Sequence, residues 1–172
     1  LSCGLENIQA KKIIQELKRL NGNENLISLL TRYGVKHDYI DVLLRKGVTY
    51  QSFLNHPYSI TRIAEIDFYT VDAIALQVFH LSPYSFMRLC AYVKHTMDSF
   101  IKNGNTCVLA EDLQYSVERK LHGSSTPNVH ITAALLIACT QELKFVAEKN
   151  NGKLYFYDKK IAEEEKILLE QI

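Results

Sequence analysis

Apolar residues in the first third of the chain recur with the spacing of short helices. The first predicted helix has an apolar face formed by Ile8, Ile13, Ile14, Leu17 and Leu20. Asn21-Gly22 follows it and suits a left-handed C-terminal cap. Three shorter helices are predicted next, over Leu26–Tyr33, His37–Arg45 and Tyr50–Asn55, and they end at Gly34, Gly47 and Pro57. Helices this short are unstable alone, so the pattern predicts helix-loop-helix units that pack in pairs.

A turn-rich segment leads to the next predicted helix. It begins with His56-Pro57-Tyr58-Ser59-Ile60 and reaches the tight turn Glu65-Ile66-Asp67. Asp67 is suited to cap a helix over Phe68–Phe79. Loop, hairpin and helix in this order have the plan of a helix-hairpin-helix, a module that usually binds a nucleic-acid backbone. Such a hairpin normally uses glycines where this chain has Glu65 and Asp67.

The residue pattern in the second half of the chain predicts both helices and strands. Ser82-Pro83 suits the start of a long helix that reaches Asn103, since serine is a good N-cap and proline a good first residue. A short strand, 106–109, and two helices, 111–121 and 128–143, follow. Strands over 144–148 and 153–157 then form a β-hairpin around Asn150-Asn151-Gly152. This is the element order of a winged helix.

These patterns predict a mainly α fold, with tandem helix-hairpin-helix units followed by a winged-helix-like α+β segment that has one β-hairpin. The predicted domains are a helix-hairpin-helix region at 1–81, a winged-helix-like region at 82–157 and a closing helix at 158–172. The 172 residues are 47% hydrophobic, which is enough for a folded core.

Charge is distributed unevenly along the chain. The formal net charge is only +1, yet the segment up to Tyr58 has eight Lys or Arg residues against five Asp or Glu. We therefore expect any attraction to phosphate to come from the first third.

Cysteine and histidine spacing argues against a metal site. Cys3, Cys90, Cys107 and Cys139 are far apart, and the six histidines are scattered. Free thiols in a reducing cytoplasm fit this spacing best. No apolar run approaches the ~18 residues of a membrane span. The chain begins at Leu1, and we interpret it as a soluble fragment of a longer cytoplasmic protein.

Several segments together resemble a known family, the N-terminal region of ATP-dependent RecD-like DNA helicases, which are similar to the exodeoxyribonuclease V alpha subunit. That family has an Asn-Pro-Tyr-x-Leu segment, a Gly-Ile-Gly-Phe hairpin and an Ala-Asp-x-Ile-Ala helix. The matching segments here are His56-Pro57-Tyr58-Ser59-Ile60, Glu65-Ile66-Asp67-Phe68 and Val71-Asp72-Ala73-Ile74-Ala75. Asn103-Gly104-Asn105 looks like the family's Glu-Gly-His, and Leu154-Tyr155-Phe156 looks like its Val-Tyr-Leu strand.

The resemblance implies a non-catalytic accessory region beside a downstream motor that moves 5′ to 3′ on single-stranded DNA and acts in repair and recombination. ATP and Mg²⁺ would bind to that motor, because this chain lacks the G-x-x-x-x-G-K-[ST] phosphate-binding loop. No cofactor is expected in this fragment. The implied partners are single-stranded or duplex DNA, the motor domain and another repair protein.

A helix-hairpin-helix binds DNA without reading sequence, through glycines, backbone amides and nearby cations. The candidates in the first unit are Gly4, Lys11 and Lys12, and those in the second are Arg32, Gly34 and Lys36. The Glu65–Asp67 hairpin is disfavoured, because it adds bulk and negative charge where phosphate would lie. The alternative is that these units are packing scaffolds and that Gly34 and Gly47 are ordinary helix caps.

The winged-helix-like half offers weaker candidates. Lys149 and Lys153 could contact phosphate, although lysine at a hairpin tip more often serves solubility. The helix before the wing presents Asn128, His130, Thr132, Thr140 and Gln141 among apolar residues. Base readout is therefore not expected, and a protein-docking role for this half is an equal alternative.

We find no catalytic motif. Asp67 and Asp72 are interpreted as a helix cap and an exposed carboxylate, and not as a metal pair.

Overall fold

The computed structural model describes residues 9–12, 14, 22–123, 129–161 and 163. It is mainly helical, with one small antiparallel sheet near the C-terminus, as the sequence predicts. The chain divides into two compact units, Leu1–Leu81 and Ser82–Ile172. Most of the predicted helix over residues 8–20, together with Gly4, lies outside the described residues, as does most of the closing segment 158–172.

The first unit consists of short helices. From residue 22 onward they are α1 (Glu24–Arg32), α2 (His37–Arg45), α3 (Tyr50–Asn55), a 3-10 turn (Pro57–Ser59), α4 (Ile60–Ile63) and α5 (Phe68–Gln77). The predicted bounds of α2 and α3 are confirmed, and α1 and α5 differ from prediction only at their ends. Because each helix is short, stability comes from the shared core, whose fully buried members include Leu26, Leu30, Leu43, Phe53 and Ile74.

The segment His56-Pro57-Tyr58-Ser59-Ile60 is an anchor for α5. Pro57 and Ile60 are buried, and the Tyr58 ring stacks on Phe68 with centroids 5.7 Å apart. The Tyr58 hydroxyl donates a 2.6 Å hydrogen bond to Asp72 Oδ1. The expectation of an exposed Asp72 is therefore wrong: its side chain is buried, and a tyrosine hydroxyl from the preceding loop satisfies it.

The second unit contains α6 (Phe86–Lys102), β1 (Cys107–Leu109), α7 (Ala110–Gly123), α8 (Ala133–Glu142), β2 (Val146–Asn150) and β3 (Lys153–Tyr157). The strand order is β1-β3-β2, and both pairings are antiparallel. Val108 lies opposite Phe156 in the β1–β3 register, and both side chains are buried. Asn151 and Gly152 have φ of +49° and +78° and form the predicted tight turn.

The long helix α6 does not begin at Ser82-Pro83 as predicted. Its N-cap is Ser85, whose hydroxyl accepts from the Arg88 amide at 3.3 Å. Residues 82–85 form a turn instead, in which the Ser85 amide donates to the Ser82 carbonyl at 2.9 Å. The fully buried Arg88 guanidinium donates to the Pro83 carbonyl at 3.0 Å and so holds this turn against the helix.

The helix before the β-hairpin, α8, also begins later than predicted, at Ala133 and not at Asn128. Ile131 is held outside the helix, because its amide donates to Glu118 Oε1 at 2.9 Å and its carbonyl accepts from Gln114 Nε2 at 2.7 Å. Thr132 is the N-cap. At the other end Lys144 has φ +59° and belongs to the helix cap, so the first strand of the hairpin begins at Val146.

Candidate nucleic-acid interface

Within residues 22–81, three hairpins of the same backbone shape join helices of the first unit. We name them by residue: the 34–36 hairpin joins α1 to α2, the 47–49 hairpin joins α2 to α3, and the 65–67 hairpin joins α4 to α5. In each, the first residue has positive φ, +76° at Gly34, +76° at Gly47 and +50° at Glu65. The middle residue is buried in each case: Val35, Val48 and Ile66. The third residue caps the next helix.

The backbone bonds of the first two hairpins match closely. The Val35 amide donates to the Leu30 carbonyl at 3.0 Å, and the Val48 amide donates to the Leu43 carbonyl at 3.0 Å. These bonds satisfy the last carbonyls of α1 and α2. Glu65 adopts the same left-handed conformation without glycine's freedom, so the hairpin geometry survives the loss of that glycine.

The hairpins differ in how the next helix is capped. In the 47–49 hairpin, Thr49 Oγ1 accepts from the Ser52 amide at 3.1 Å, while Ser52 Oγ accepts from the Thr49 amide at 2.9 Å. In the 65–67 hairpin, Asp67 Oδ2 accepts from the Thr70 amide at 2.9 Å and from its hydroxyl at 3.1 Å. At each place one first-turn amide, that of Ser52 or that of Thr70, already donates to a side-chain oxygen of the protein.

The 34–36 hairpin has no such side-chain cap within the described residues. Its cap residue is Lys36, whose side chain makes no capping hydrogen bond. The Tyr39 amide, in the first turn of the nine-residue α2, donates to the Lys36 carbonyl at 3.1 Å. The His37 and Asp38 amides are the first-turn amides with no acceptor among the described residues, and they lie at the positive end of the helix dipole. Lys36 and the neighbouring Gly34 are exposed, and a Cβ built at Gly34 would meet no atom within 4 Å.

The structure does not bring all the predicted contacts of this region into one groove. Gly34 and Lys36 line a groove of about 210 Å³ together with Tyr39, Thr70 and the 65–67 hairpin. Arg32 lines a different groove, with Tyr50 and one face of α1. The carboxylates of Glu65 and Asp67 share the first groove with Lys36, so negative charge faces part of the candidate site.

The other described residues predicted to contact DNA do not line either of these two grooves. Lys11 and Lys12 are helical and exposed, whereas Gly4 lies outside the described residues. Lys149 on β2 and Lys153 on β3 are exposed near the tip of the hairpin. Of the side chains suggested for the helix before the wing, Thr132 is a cap, Thr140 is buried and Asn128 is not described. Gln141 is left as an exposed polar group on α8.

Other side chains of reactive or metal-binding types make structural contacts. Cys90 and Cys139 are free buried thiols that share a hydrogen bond, and burial raises the pKa of each, most strongly that of Cys139. His130 Nδ1 lies 3.6 Å from Glu118 Oε1. Across the described ranges, no group of three or more His, Cys, Asp or Glu residues could hold a metal ion. In the same ranges, no helix is long and apolar enough to cross a membrane.

The sequence interpretation missed the 47–49 hairpin and assigned Gly47 only to a helix cap. A signal was present, because Gly47-Val48 repeats Gly34-Val35 thirteen residues later. It also missed Tyr50 as part of a groove with Arg32, because no spacing rule relates two residues on different helices.

Consecutive short helices, joined by hairpins with a left-handed first residue and a buried second one, define a helix-hairpin-helix protein. The chain belongs to a particular family of this class, because residues 19–107, more than half of the chain, match the family described as the ATP-dependent RecD2 DNA helicase HHH domain. The match includes all three hairpins and ends at β1. No curated protein and no solved structure matches the chain. Family membership identifies a helicase-associated accessory domain and points to DNA as its partner.

Proposed function

We propose that the first unit binds the DNA backbone without sequence specificity, at the 34–36 hairpin. The observation that carries this proposal is the difference in capping among the three described hairpins. Thr49 with Ser52, and Asp67, cap two helix starts with side-chain oxygens, whereas Lys36 provides no side-chain cap for α2 and adds a cation beside the His37 and Asp38 amides.

The chemistry suits a phosphate oxygen. The His37 and Asp38 amides, which have no acceptor among the described residues, can donate to it, and the helix dipole adds attraction. Gly34 allows close approach, since it has no side chain and nothing stands within 4 Å of the position its Cβ would take. Lys36 and Arg32 supply the salt-dependent part of the affinity, and Lys11 and Lys12 extend the positive surface. Such contacts position a protein on DNA and read no sequence.

The wider proposal is that this chain holds DNA for an ATP-dependent RecD-like motor that lies downstream, moves 5′ to 3′ and acts in repair and recombination. ATP and Mg²⁺ would bind that motor. A cytoplasmic location is supported by the free thiols of Cys90, Cys107 and Cys139. Membership in the helicase-associated family supports the accessory role.

The test is a titration of labelled DNA at low salt with two matched lysine variants. Lys36→Ala should weaken DNA binding about tenfold, which is the loss expected when one hydrogen bond between a lysine ammonium and a phosphate is removed. Lys46→Ala removes the same charge beside the 47–49 hairpin, where the helix end is closed, and should weaken binding less than about twofold. Equal losses in the two variants would show that the 34–36 hairpin has no special role.

A second candidate function concerns the second unit, which we propose has a winged-helix arrangement that docks a protein. The order of helices and strands and the strand order β1-β3-β2 support this arrangement. A groove of about 250 Å³ lies between α7, α8 and the β-hairpin. Its lining is largely apolar and includes Leu136, Ile137, Leu154 and Phe156, and Ile137 is 38% exposed. An apolar groove beside a helix that has no Lys or Arg favours protein over DNA.

The motor domain of the parent helicase is the partner to test first. Ile137→Glu should abolish its capture by the isolated chain and leave DNA affinity unchanged. Tyr115→Glu is the control, since Tyr115 is more exposed, at 66%, and does not line the groove. Motor capture that survives Ile137→Glu would remove this candidate, as would a motor that does not bind at all.

A further inference from the structure

A second groove on the first unit is built from one face of α1 and the first residue of α3. Ser28 and Leu29 lie three and four residues after Asn25, and Arg32 lies four and three residues after them, so the four residues share a helix face. Tyr50 completes the lining, and the groove has a volume of about 380 Å³. It therefore combines an aromatic ring, a guanidinium, a hydroxyl and an amide in a space large enough for a small ligand.

Tyr50 is held in place before any ligand arrives. Its backbone begins α3, where the reciprocal Thr49–Ser52 capping bonds fix the chain. Its ring meets Phe79 edge to face with centroids 6.0 Å apart, and Phe79 packs in turn on the buried Phe53 at 4.9 Å. A ring fixed by packing loses little entropy when a flat ligand stacks on it.

Arg32 is exposed, and no carboxylate of the described residues forms an ion pair with it. Its planar guanidinium can donate two hydrogen bonds to a phosphate. Ser28 and Asn25 lie on the same face of α1, and each can donate or accept. Arg32 is also the last residue of α1, directly before the 34–36 hairpin.

We propose that this groove binds one nucleotide of single-stranded DNA, with its base stacked on Tyr50 and its phosphate on Arg32. The inference rests on the proposed function, because the 34–36 hairpin would hold the neighbouring backbone. A duplex would not fit this mode, since its bases are paired and stacked on one another. Stacking on an aromatic ring tolerates any base and so remains independent of sequence.

The test uses the full chain and three labelled probes of equal length: a thymidine strand, an abasic deoxyribose-phosphate strand and a duplex. The wild-type chain should bind the thymidine strand about tenfold more tightly than the abasic strand, because only the former can stack. Tyr50→Leu should make the two affinities equal, whereas Tyr50→Phe should keep the preference. Tyr115→Leu, at an exposed tyrosine outside the groove, should change neither affinity.

A second variant avoids the packing around Phe79. Ser28 is exposed, so Ser28→Glu should fold normally, and its carboxylate should lower thymidine-strand affinity about tenfold through repulsion of phosphate. Gln141→Glu adds the same charge in the second unit and should have little effect. Equal wild-type affinities for the thymidine and abasic strands would overturn the inference, as would a base preference that survives Tyr50→Leu. The proposed backbone site is judged separately by the comparison of Lys36→Ala with Lys46→Ala, whose outcome does not depend on whether the probe has bases.

Discussion

Glu65 occupies the backbone position at which the other two hairpins have glycine. Its φ of +50° lies in the left-handed region, which costs a residue with a side chain roughly 1 kcal/mol. The fold tolerates this cost because Ile66 is buried beside it and Asp67 caps the following helix. The loss of glycine therefore changes the surface of the hairpin more than its shape.

Glu65→Gly should raise the free energy of unfolding by about 0.5 kcal/mol, because relief of backbone strain slightly exceeds the extra entropy of the unfolded chain. Chemical denaturation of the two proteins measures the difference. Glu65→Gln is the control, since it removes the charge and keeps the strain, and its stability should match that of the wild type. A destabilised glycine variant would show that Glu65 makes a stabilising contact that outweighs its strain.

At the scale of elements, the end of each hairpin decides what it can bind. Asp67 occupies with its own carboxylate the amide that a phosphate oxygen would otherwise reach. It also places negative charge in the groove that contains Lys36. The 65–67 hairpin thus resembles the 34–36 hairpin in backbone conformation, but its own carboxylate accepts the hydrogen bond that a phosphate would otherwise accept.

Asp67→Ser should separate capping from charge. Serine can still accept from the Thr70 amide, so stability should stay within about 0.5 kcal/mol of the wild type. Loss of the carboxylate near Lys36 should raise DNA affinity about twofold to threefold at low salt. Asp67→Ala, which also loses the cap, should cost about 1 kcal/mol of stability. Unchanged affinity in both variants would show that this carboxylate does not influence the site.

The elements show what the sequence can predict. Bounds were predicted to within one residue where a glycine follows a helix, as at Gly34 and Gly47, and where Asp67 caps the start of α5. They were wrong where a side-chain hydrogen bond to the segment before a helix decides where the helix starts. Arg88 holds the turn before α6, and Glu118 with Gln114 holds Ile131 outside α8. Local patterns contain no information on such contacts.

At the scale of the whole molecule, the net charge of +1 hides a basic first third, since the segment up to Tyr58 has eight Lys or Arg residues against five Asp or Glu. Arg32 and Lys36 lie near the proposed site, and Lys11 and Lys12 are exposed on the helical residues before it. The grouping of Gly34 and Lys36 with the 65–67 hairpin could not be predicted, because it depends on how α1, α2 and α5 pack. The number of phosphates bound is an independent measure of which cations take part.

Salt dependence should report that number. Each phosphate neutralised on single-stranded DNA adds about −0.7 to the slope of log K against log salt. Contacts from Arg32 and Lys36 alone predict a slope of about −1.4, and participation of Lys11 and Lys12 predicts about −2.8. Lys11→Ala combined with Lys12→Ala should reduce the steeper slope to the shallower one. A slope near zero would exclude backbone binding.

The proposed backbone site depends on phosphate binding by the His37 and Asp38 amides at the start of α2, and a comparison of Lys36→Ser with Lys36→Ala separates this binding from the charge of Lys36. Both variants lose the same charge, but serine can cap the helix as Thr49 and Asp67 do elsewhere in the chain. We predict that Lys36→Ser is the more stable by about 1 kcal/mol and yet binds DNA several-fold more weakly than Lys36→Ala. Equal DNA affinities for the two variants, with the stability gain present, would contradict the claim.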